Sequence, residues 1–279
     1  MRPTHYFQRR AIPEAPDAGL EQLLSIGLGP VAPPPGMRSL ESRLLDRARR
    51  SAAAHRTHVT LRSAGYAWQN LAPGLDVQLL HDDEGATASL VRLAPGISVP
   101  SSDREGVQEV LVIQGDLVFD GTEINRLDYF VSGATAGPAS MRSISGALFY
   151  RRHSSGPENA FSSIGPPRLV RAGNDGWEPL RRGVTIKTLA TSGDRVSMLA
   201  RLEPGVSMPT HSHRLGEECM MLEGDMFLDD VLLRTGDFQW APAGTRHDTL
   251  DSDSGCLVFI HAAVDPSLVD SEYCRVAAG

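Results

Sequence analysis

The chain has 279 residues, of which 41% are hydrophobic, so it is long enough for two domains that each bury a core. Its formal net charge of −7 argues against nucleic acid and against an anionic membrane surface as partners. No apolar run approaches the roughly eighteen residues of a membrane-spanning helix, and the N-terminus lacks the apolar core of a signal peptide. We therefore expect a cytoplasmic protein. Its three cysteines have no paired spacing, so no disulfide framework is expected.

Residues 1–60 differ in composition from the rest of the chain. Two proline-rich stretches, 13–17 and 31–36, predict irregular or polyproline-type linkers. The run 39–54 predicts a helix, because Ser39 is a suitable N-cap and leucines recur along one helical face. We assign residues 1–60 to a Pro-rich N-terminal segment that contains a short helix.

An internal repeat occupies the rest of the chain. A shift of 109 residues aligns 67–150 with 176–259 without a gap, with about twenty identities. Trp68 falls on Trp177, and the turn at 95–96 falls on the turn at 204–205. The matched residues are mainly turn formers and core anchors, which two copies of one fold are expected to share. We assign residues 61–165 to the first domain and 166–279 to the second.

The second copy carries histidines and a glutamate at spacings that suit a metal site. His211 and His213 lie two residues apart, so on a strand they point to the same side. A turn at 214–216 leads to Glu217 at the start of the next strand, and a turn at 242–244 precedes His247. We predict one divalent metal ion per chain, with four ligands: His211, His213, Glu217 and His247.

The sequence alone does not decide the identity of the metal, and it leaves an alternative for the carboxylate ligand. Imidazole and carboxylate ligands suit Zn, Fe, Mn, Ni or Cu, and the ligand set does not choose among them. Glu218 is the alternative carboxylate to Glu217, because the intervening turn can reset the alternation of the strand.

The first copy has lost all four ligand positions. The residues that align with them are Ser102, Arg104, Gln108 and Pro138. Arg104 would put a permanent cation at the position where a metal would bind. Two roles for Arg104 stay open: a solvated loop residue, or a group that binds an anion. We expect the first domain to keep the fold without a metal ion.

The two ligand motifs resemble those of the cupin superfamily of small antiparallel β-barrels. The first motif, Gly205-x5-His-x-His-x3-Glu-x6-Gly224, matches in full. The second, Gly236-x5-Pro-x-Gly-x2-His247, departs only at its last position, where cupins often carry Asn and this chain has Asp251. The resemblance implies an all-β protein with two tandem cupin (double-stranded β-helix, or jelly-roll) barrels after the short helical segment. Barrel 1 would be metal-free and barrel 2 would bind the metal.

Within that superfamily, the second copy is similar to two kinds of protein. One is the ChrR-type cupin, the C-terminal half of zinc-binding anti-sigma factors. The other is the cupin of small Fe-dependent dioxygenases that cleave β-diketones and hydroxyacetophenones. The ChrR-type sigma-binding motif needs two cysteines near the N-terminus, and no cysteine precedes Cys219. Binding of a sigma factor in that manner is therefore not expected.

Two functions follow from these resemblances. The first is a ChrR-like regulatory or sensor protein that binds one divalent ion, with zinc preferred, iron as the alternative, and Mn, Ni and Cu open. The second is an Fe(II)-dependent dioxygenase that acts on a small diketone or hydroxyaryl ketone. Apolar residues near the motifs suit a small organic ligand in barrel 2, and a homodimer is an open alternative to a monomer.

Overall fold

The structure is a computed structural model that describes residues 40–83, 85–99, 106–119, 121–133, 140–155, 167–271 and 273–274. Helix α1 spans Leu40–Thr57, and short 3₁₀ turns lie at Ser63–Gly65 and Pro266–Leu268. The chain divides into two compact units after Ala52, and all strands lie in the second unit. Helix α1 agrees with the helix predicted over 39–54, whereas the two proline-rich stretches lie outside the described residues. In the described part of the chain, no helix is both long and apolar enough to cross a bilayer.

Both repeats consist of antiparallel strands, most of them short. The described strands of the first repeat are β1 (Val59–Leu61), β2 (Gln69–Ala72), β3 (Leu75–Asp82), β4 (Ala86–Leu93), β5 (Ser98–Val99), β6 (Val107–Phe119), β7 (Thr122–Asn125), β8 (Tyr129–Ser132), β9 (Met141–Arg142) and β10 (Ala147–Ser154). Those of the second repeat are β11 (Arg168–Val170), β12 (Trp177–Arg181), β13 (Val184–Ser192), β14 (Arg195–Leu202), β15 (Val206–Met208), β16 (His211–Ser212), β17 (Glu217–Leu228), β18 (Val231–Arg234), β19 (Phe238–Ala241), β20 (Arg246–His247), β21 (Leu250–Ser252) and β22 (Cys256–Ala262).

The two sheets have the same strand order. The first runs β11-β8-β6-β10-β4-β3-β2, and β5, β7 and β9 pair alongside this path. The second runs β1-β19-β17-β22-β14-β13-β12, and β15, β18 and β21 occupy the corresponding places. Strands β16 and β20 form an additional two-stranded ribbon in the second repeat. The prediction of an all-β protein built from two tandem barrels after a short helix is confirmed.

The first strand of each repeat lies in the sheet of the other repeat. Strand β1 pairs with β19, with Val59 opposite Trp240. Strand β11 pairs with β8 in the same register, with Arg168 opposite Val131. We call this arrangement the strand exchange. The strand exchange links the two barrels through backbone hydrogen bonds. The predicted domain boundaries, at 60/61 and 165/166, stay a prediction.

A pair of Arg–Asp contacts holds the exchanged strands. After β1, the Arg62 guanidinium donates to Asp237 Oδ2 at 2.9 Å, and the Ser63 N–H donates to Oδ1 at 2.8 Å. After β11, Arg171 donates to Asp128 Oδ2 at 2.9 Å, and the Ala172 N–H donates to Oδ1 at 2.7 Å. The two contacts are related by the repeat shift, so each exchanged strand is fastened in the same way.

The long central strands bury both faces. Along β17, Cys219 and Met221 pack into the core of the second barrel. The alternate residues, Met220 and Leu222, pack into a cluster shared by the two repeats. Because successive side chains point to opposite faces, the strand is apolar on both sides, one facing the barrel interior and the other the partner barrel. The inner face of β17 is therefore the one that leads to the predicted metal site.

Candidate metal centre

Two ligand-bearing segments meet at one end of the second barrel. Strand β16 pairs with β20, which puts His211 directly opposite His247. His213 follows β16, where its N–H donates to the Thr245 carbonyl at 2.9 Å and its own carbonyl accepts from the Gly244 N–H at 2.7 Å. Gly244 has a φ of 80°, a left-handed conformation that suits glycine in the turn before β20. The two sequence motifs are thus tied together by backbone hydrogen bonds.

The predicted side chains converge. The ring centroids of His211 and His213 lie 5.3 Å apart, those of His211 and His247 5.4 Å apart, and those of His213 and His247 4.8 Å apart. Glu217 Oε1 lies 3.6 Å from His213 Nε2. All three imidazoles are buried. The structure therefore brings the four predicted residues to one place, although the ligand assignment itself stays a prediction.

A fourth imidazole, His58, lies in the same cluster. The ligand atoms form two overlapping triads, His211–His213–Glu217 and His58–His213–His247, and within each triad they lie within 4.8 Å of one another. Two atoms bound to one ion at about 2.0–2.1 Å would lie roughly 3–4 Å apart. His58 precedes β1 and reaches the second barrel through the strand exchange. His58 was not predicted from the sequence, because the clear alignment of the two repeats begins only at residue 67. Farther upstream, the match of Arg62 with Arg171 is only a weak signal of the equivalence.

The hydrogen bonding of the imidazole nitrogens indicates whether the cluster suits a metal ion. At this cluster, four buried histidine nitrogens have no hydrogen-bond partner among the residues that the structure describes: His58 Nε2, His211 Nδ1, His213 Nε2 and His247 Nε2. A buried polar atom without a partner is costly, by about 1–3 kcal/mol. One divalent ion would satisfy several such nitrogens at once, so the residues present fit a metal.

Neighbouring groups orient two of the imidazoles. His213 Nδ1 lies 2.9 Å from Thr245 Oγ1, and His247 Nδ1 lies 3.2 Å from Asp229 Oδ2. Asp229 Oδ1 also accepts the backbone N–H groups of Asp248 and Thr249. Burial pushes the pKa of Asp229 up, but these hydrogen bonds outweigh it and leave the pKa below its ordinary value. A carboxylate behind an imidazole fixes its tautomer and orientation, as in many metal sites.

The protonation state of the cluster suits metal binding. Burial lowers the pKa of His213 to about 4. Burial, with further contributions from His247 and His213, also lowers the pKa of His58 to about 4. Both imidazoles are therefore neutral near pH 7, and the neutral form is the one that binds a metal.

The two neighbouring glutamates face opposite ways. Glu217 lies beside His213 and lines a cavity inside the second barrel. Glu218 points to the other face of β17, where it accepts hydrogen bonds from Tyr150 and Arg152 of the first repeat. The alternation of the strand thus puts Glu217, rather than Glu218, at the cluster.

The cavity beside the cluster is small and mainly apolar. His211 and Glu217 lie at its border, and Met208, Cys219 and Met226 are among its apolar lining residues. Its free volume of about 50 Å³ is enough for a few water molecules or a small organic group. Not all apolar residues near the ligand motifs line this cavity. Met220 and Phe238 pack in the cluster shared by the two repeats.

The corresponding region of the first barrel differs. Gln108 lies on β6 at the position that corresponds to Glu217, and it pairs in register with Ser132. The other three replacements, Ser102, Arg104 and Pro138, lie outside the described residues. Among the residues that are described, both candidate metal groups lie at the second barrel.

Comparison with known families gives two matches along the chain. The family described as "ChrR Cupin-like domain" matches residues 56–154 and again residues 167–264. Both repeats are therefore copies of one family domain, which confirms the resemblance found in the sequence. No curated protein matches the chain.

Solved structures with the same fold are distant in sequence. A candidate dioxygenase of Nostoc punctiforme has a TM-score of 0.60 at 18% identity, over 78% of this chain and 86% of that one. A candidate glyoxylate-induced protein of Pseudomonas aeruginosa has a TM-score of 0.59 at 14% identity, over 75% and 89% of the two chains. A point variant of Bacillus subtilis oxalate decarboxylase has a TM-score of 0.53 at 15% identity, over 74% and 77%. At these identities the likeness establishes the cupin fold alone.

Proposed function

We propose that this chain, which belongs to the ChrR cupin-like family, is a regulatory or sensor protein that binds one divalent metal ion in its second barrel. The observation that carries the proposal is the convergence of buried imidazole nitrogens without hydrogen-bond partners beside Glu217. Metal coordination is the interaction that would satisfy these nitrogens together.

The proposed ligands are His211, His213, Glu217 and His247, and zinc is the preferred ion. Three imidazoles and one carboxylate complete the four-coordinate shell that Zn²⁺ adopts in structural sites. Asp229 and Thr245 hold two of the imidazoles in place. A closed shell of this kind suits a protein that senses or requires the ion better than one that must admit two reactants.

A dioxygenase is the second candidate, and the cavity is the observation that favours it. The cavity ends at His211 and Glu217, so a small ligand inside the barrel would reach the ion from its interior side. With Fe(II), the same ligands allow five or six coordination and leave positions for a substrate and O₂. The proposed substrate class is a small diketone or hydroxyaryl ketone, and the apolar lining suits such a molecule.

Elemental analysis of the protein purified without added metal tests the proposal. We expect one divalent ion per wild-type chain, and a large loss of metal in the His211→Ala/His213→Ala double variant. Two ions per chain, or an unchanged metal content in the double variant, would contradict the site. Bound zinc without O₂ consumption would favour the regulator, whereas bound iron with O₂ consumption on a β-diketone would favour the enzyme.

A further inference from the structure

We propose that His58 is an additional ligand of the ion in the second barrel, so that metal binding fastens the exchanged strand β1 to that barrel. This inference rests on the proposed function, because it needs an ion at the cluster of His211, His213, Glu217 and His247. It adds a ligand from the first repeat to a site whose other ligands all come from the second.

The position of His58 supports a ligand role. Its ring centroid lies 4.6 Å from that of His247 and 6.0 Å from that of His213. The side chain is buried, and its Nε2 has no hydrogen-bond partner among the residues that the structure describes. A buried imidazole nitrogen beside two others that also lack partners is a costly arrangement unless a common ion binds them.

The two overlapping triads point to one ion rather than two. His213 belongs to both triads. Its Nδ1 lies 2.9 Å from Thr245 Oγ1, which leaves only Nε2 for a metal. One nitrogen lone pair binds one ion, so His58 and His247 would share their ion with His211 and Glu217.

The internal repeat offers an independent comparison. Strand β11 is the counterpart of β1 at a shift of 109 residues, so Pro167 is the counterpart of His58. Proline has no side-chain ligand atom, and Pro167 is exposed whereas His58 is buried. Through the strand exchange, Pro167 precedes the strand that pairs with the first barrel, so that barrel lacks a ligand type at this fifth position as well as at the other four.

Strand β1 is the element that the ion would hold. Val59, the residue after His58, is already paired with Trp240 on β19. A bond from His58 to an ion shared with His247 would add a second attachment next to this pairing. We therefore expect metal binding to lower the rate at which β1 detaches from β19.

A fifth protein ligand also limits what the ion can do. On a six-coordinate ion it leaves one position open, too few for a chelating substrate together with O₂. His211 and Glu217 border the cavity, whereas His58 does not line it, so the remaining position would face the interior of the barrel. This arrangement favours the proposed regulatory or sensor function over the dioxygenase.

The test compares His58→Ala and His58→Gln with the wild type and with the control His81→Ala. His81 also belongs to the first repeat and packs on the second barrel, with its ring 4.2 Å from that of Trp240, but it belongs to neither candidate metal triad. Titrations with Zn²⁺ give the Kd, and the visible spectrum of the Co²⁺ form reports the coordination number. Hydrogen exchange of residues 58–66, with and without Zn²⁺, reports how firmly β1 is attached.

For the His58 variants we expect one ion per chain, a Kd at least about tenfold weaker, and a stronger Co²⁺ absorption band as the coordination number falls. His81→Ala should keep the wild-type Kd and spectrum. In the wild type, Zn²⁺ should increase the protection of β1, and this comparison does not depend on the folding of any variant. Unchanged protection, or a His58→Ala protein with the wild-type Kd and spectrum, would overturn the inference and leave the proposed function intact. A wild type that binds no metal would overturn both.

Discussion

At the scale of single residues, Asp229 has the clearest supporting role in the candidate site. It occupies the turn between β17 and β18 with a φ of 55°, a left-handed conformation that aspartate tolerates better than most residues. Its carboxylate lies 3.2 Å from His247 Nδ1 and accepts two backbone N–H groups from the segment after β20. It thus links the turn to the orientation of a proposed ligand.

Asp229→Asn should weaken metal binding by about 10–100-fold, because the amide keeps the turn but removes the negative charge behind His247. A competition titration of Zn²⁺ against a chromophoric chelator measures the effect. Asp225→Asn is the control, since Asp225 accepts from Ser254 Oγ at 2.8 Å and does not contact the ligands. Equal affinities for Asp229→Asn and the wild type would mean that Asp229 supports the turn alone.

At the scale of elements, the strand exchange contains two equivalent Arg–Asp contacts, one after each exchanged strand. The residues that precede the two strands differ. Asp237 binds the residues that follow β1, and His58 immediately precedes that strand. Asp128 binds the residues that follow β11, and Pro167 immediately precedes that strand. Backbone N–H hydrogen bonds and the burial of both carboxylates make each contact stronger than a surface ion pair, although the two arginines are about half exposed.

Asp237→Ala and Asp128→Ala should each lower the free energy of unfolding by about 1–3 kcal/mol, because each removes charged hydrogen bonds to a buried position. Urea denaturation measures this loss. Only Asp237→Ala should also weaken Zn²⁺ binding, since it loosens the strand that delivers His58. Equal metal affinities in the two variants would mean that attachment of β1 and metal binding are independent.

At the scale of the whole molecule, a buried polar network joins the two barrels. Arg152 Nε donates to Glu218 Oε1 at 3.0 Å, and its Nη1 lies 3.5 Å from Glu109 Oε1. Tyr129 and Ser197 both donate to the other oxygen of Glu109. Glu109 and Glu218 are counterparts in the repeat, so the network places two equivalent carboxylates around one guanidinium.

From this network we predict how the stability of the fold depends on pH. Burial raises the pKa of Glu109, and the opposing effects of Arg152, Ser197 and Tyr129 do not cancel it. Between its ordinary pKa of 4.5 and the higher folded value, the folded chain holds a proton that the unfolded chain releases. The contribution of Glu109 to stability is therefore fully present below pH 4.5 and declines as pH rises through that window. Glu218, His261, Arg195 and Tyr150 also interact with Glu109. Burial lowers the pKa of His261, so this imidazole stays neutral.

Thermal unfolding at several pH values tests this contribution. Relative to Glu109→Gln, which has no carboxyl proton, the wild type should lose stability as pH rises above about 4.5, by at most about 1.4 kcal/mol per pH unit. Glu123→Gln, at an exposed position, should give a curve parallel to the wild type. Parallel curves for Glu109→Gln and the wild type would show that Glu109 has the same pKa in the folded and unfolded chains.

The sequence by itself determined the features that depend on short-range pattern. The shift of 109 residues predicted two copies of one all-β fold, because turn formers and core residues recur at the same places in both. The alternation of side chains along strands predicted that His211 and His213 share a side, and the structure agrees. The assignment of these residues as ligands stays a prediction.

Only the tertiary structure decided the features that depend on pairing between distant segments. The exchange of β1 and β11 joins residues far apart in sequence, and both strands are only three residues long, too short for a periodic signal. His58 is near His247 solely because β1 pairs with β19, so no local spacing could reveal it. The sequence favoured Glu217 over Glu218, but only the structure shows that Glu217 faces the cluster, because the phase of a strand after a turn is set by the sheet it joins. The role of Glu217 as a metal ligand stays a prediction.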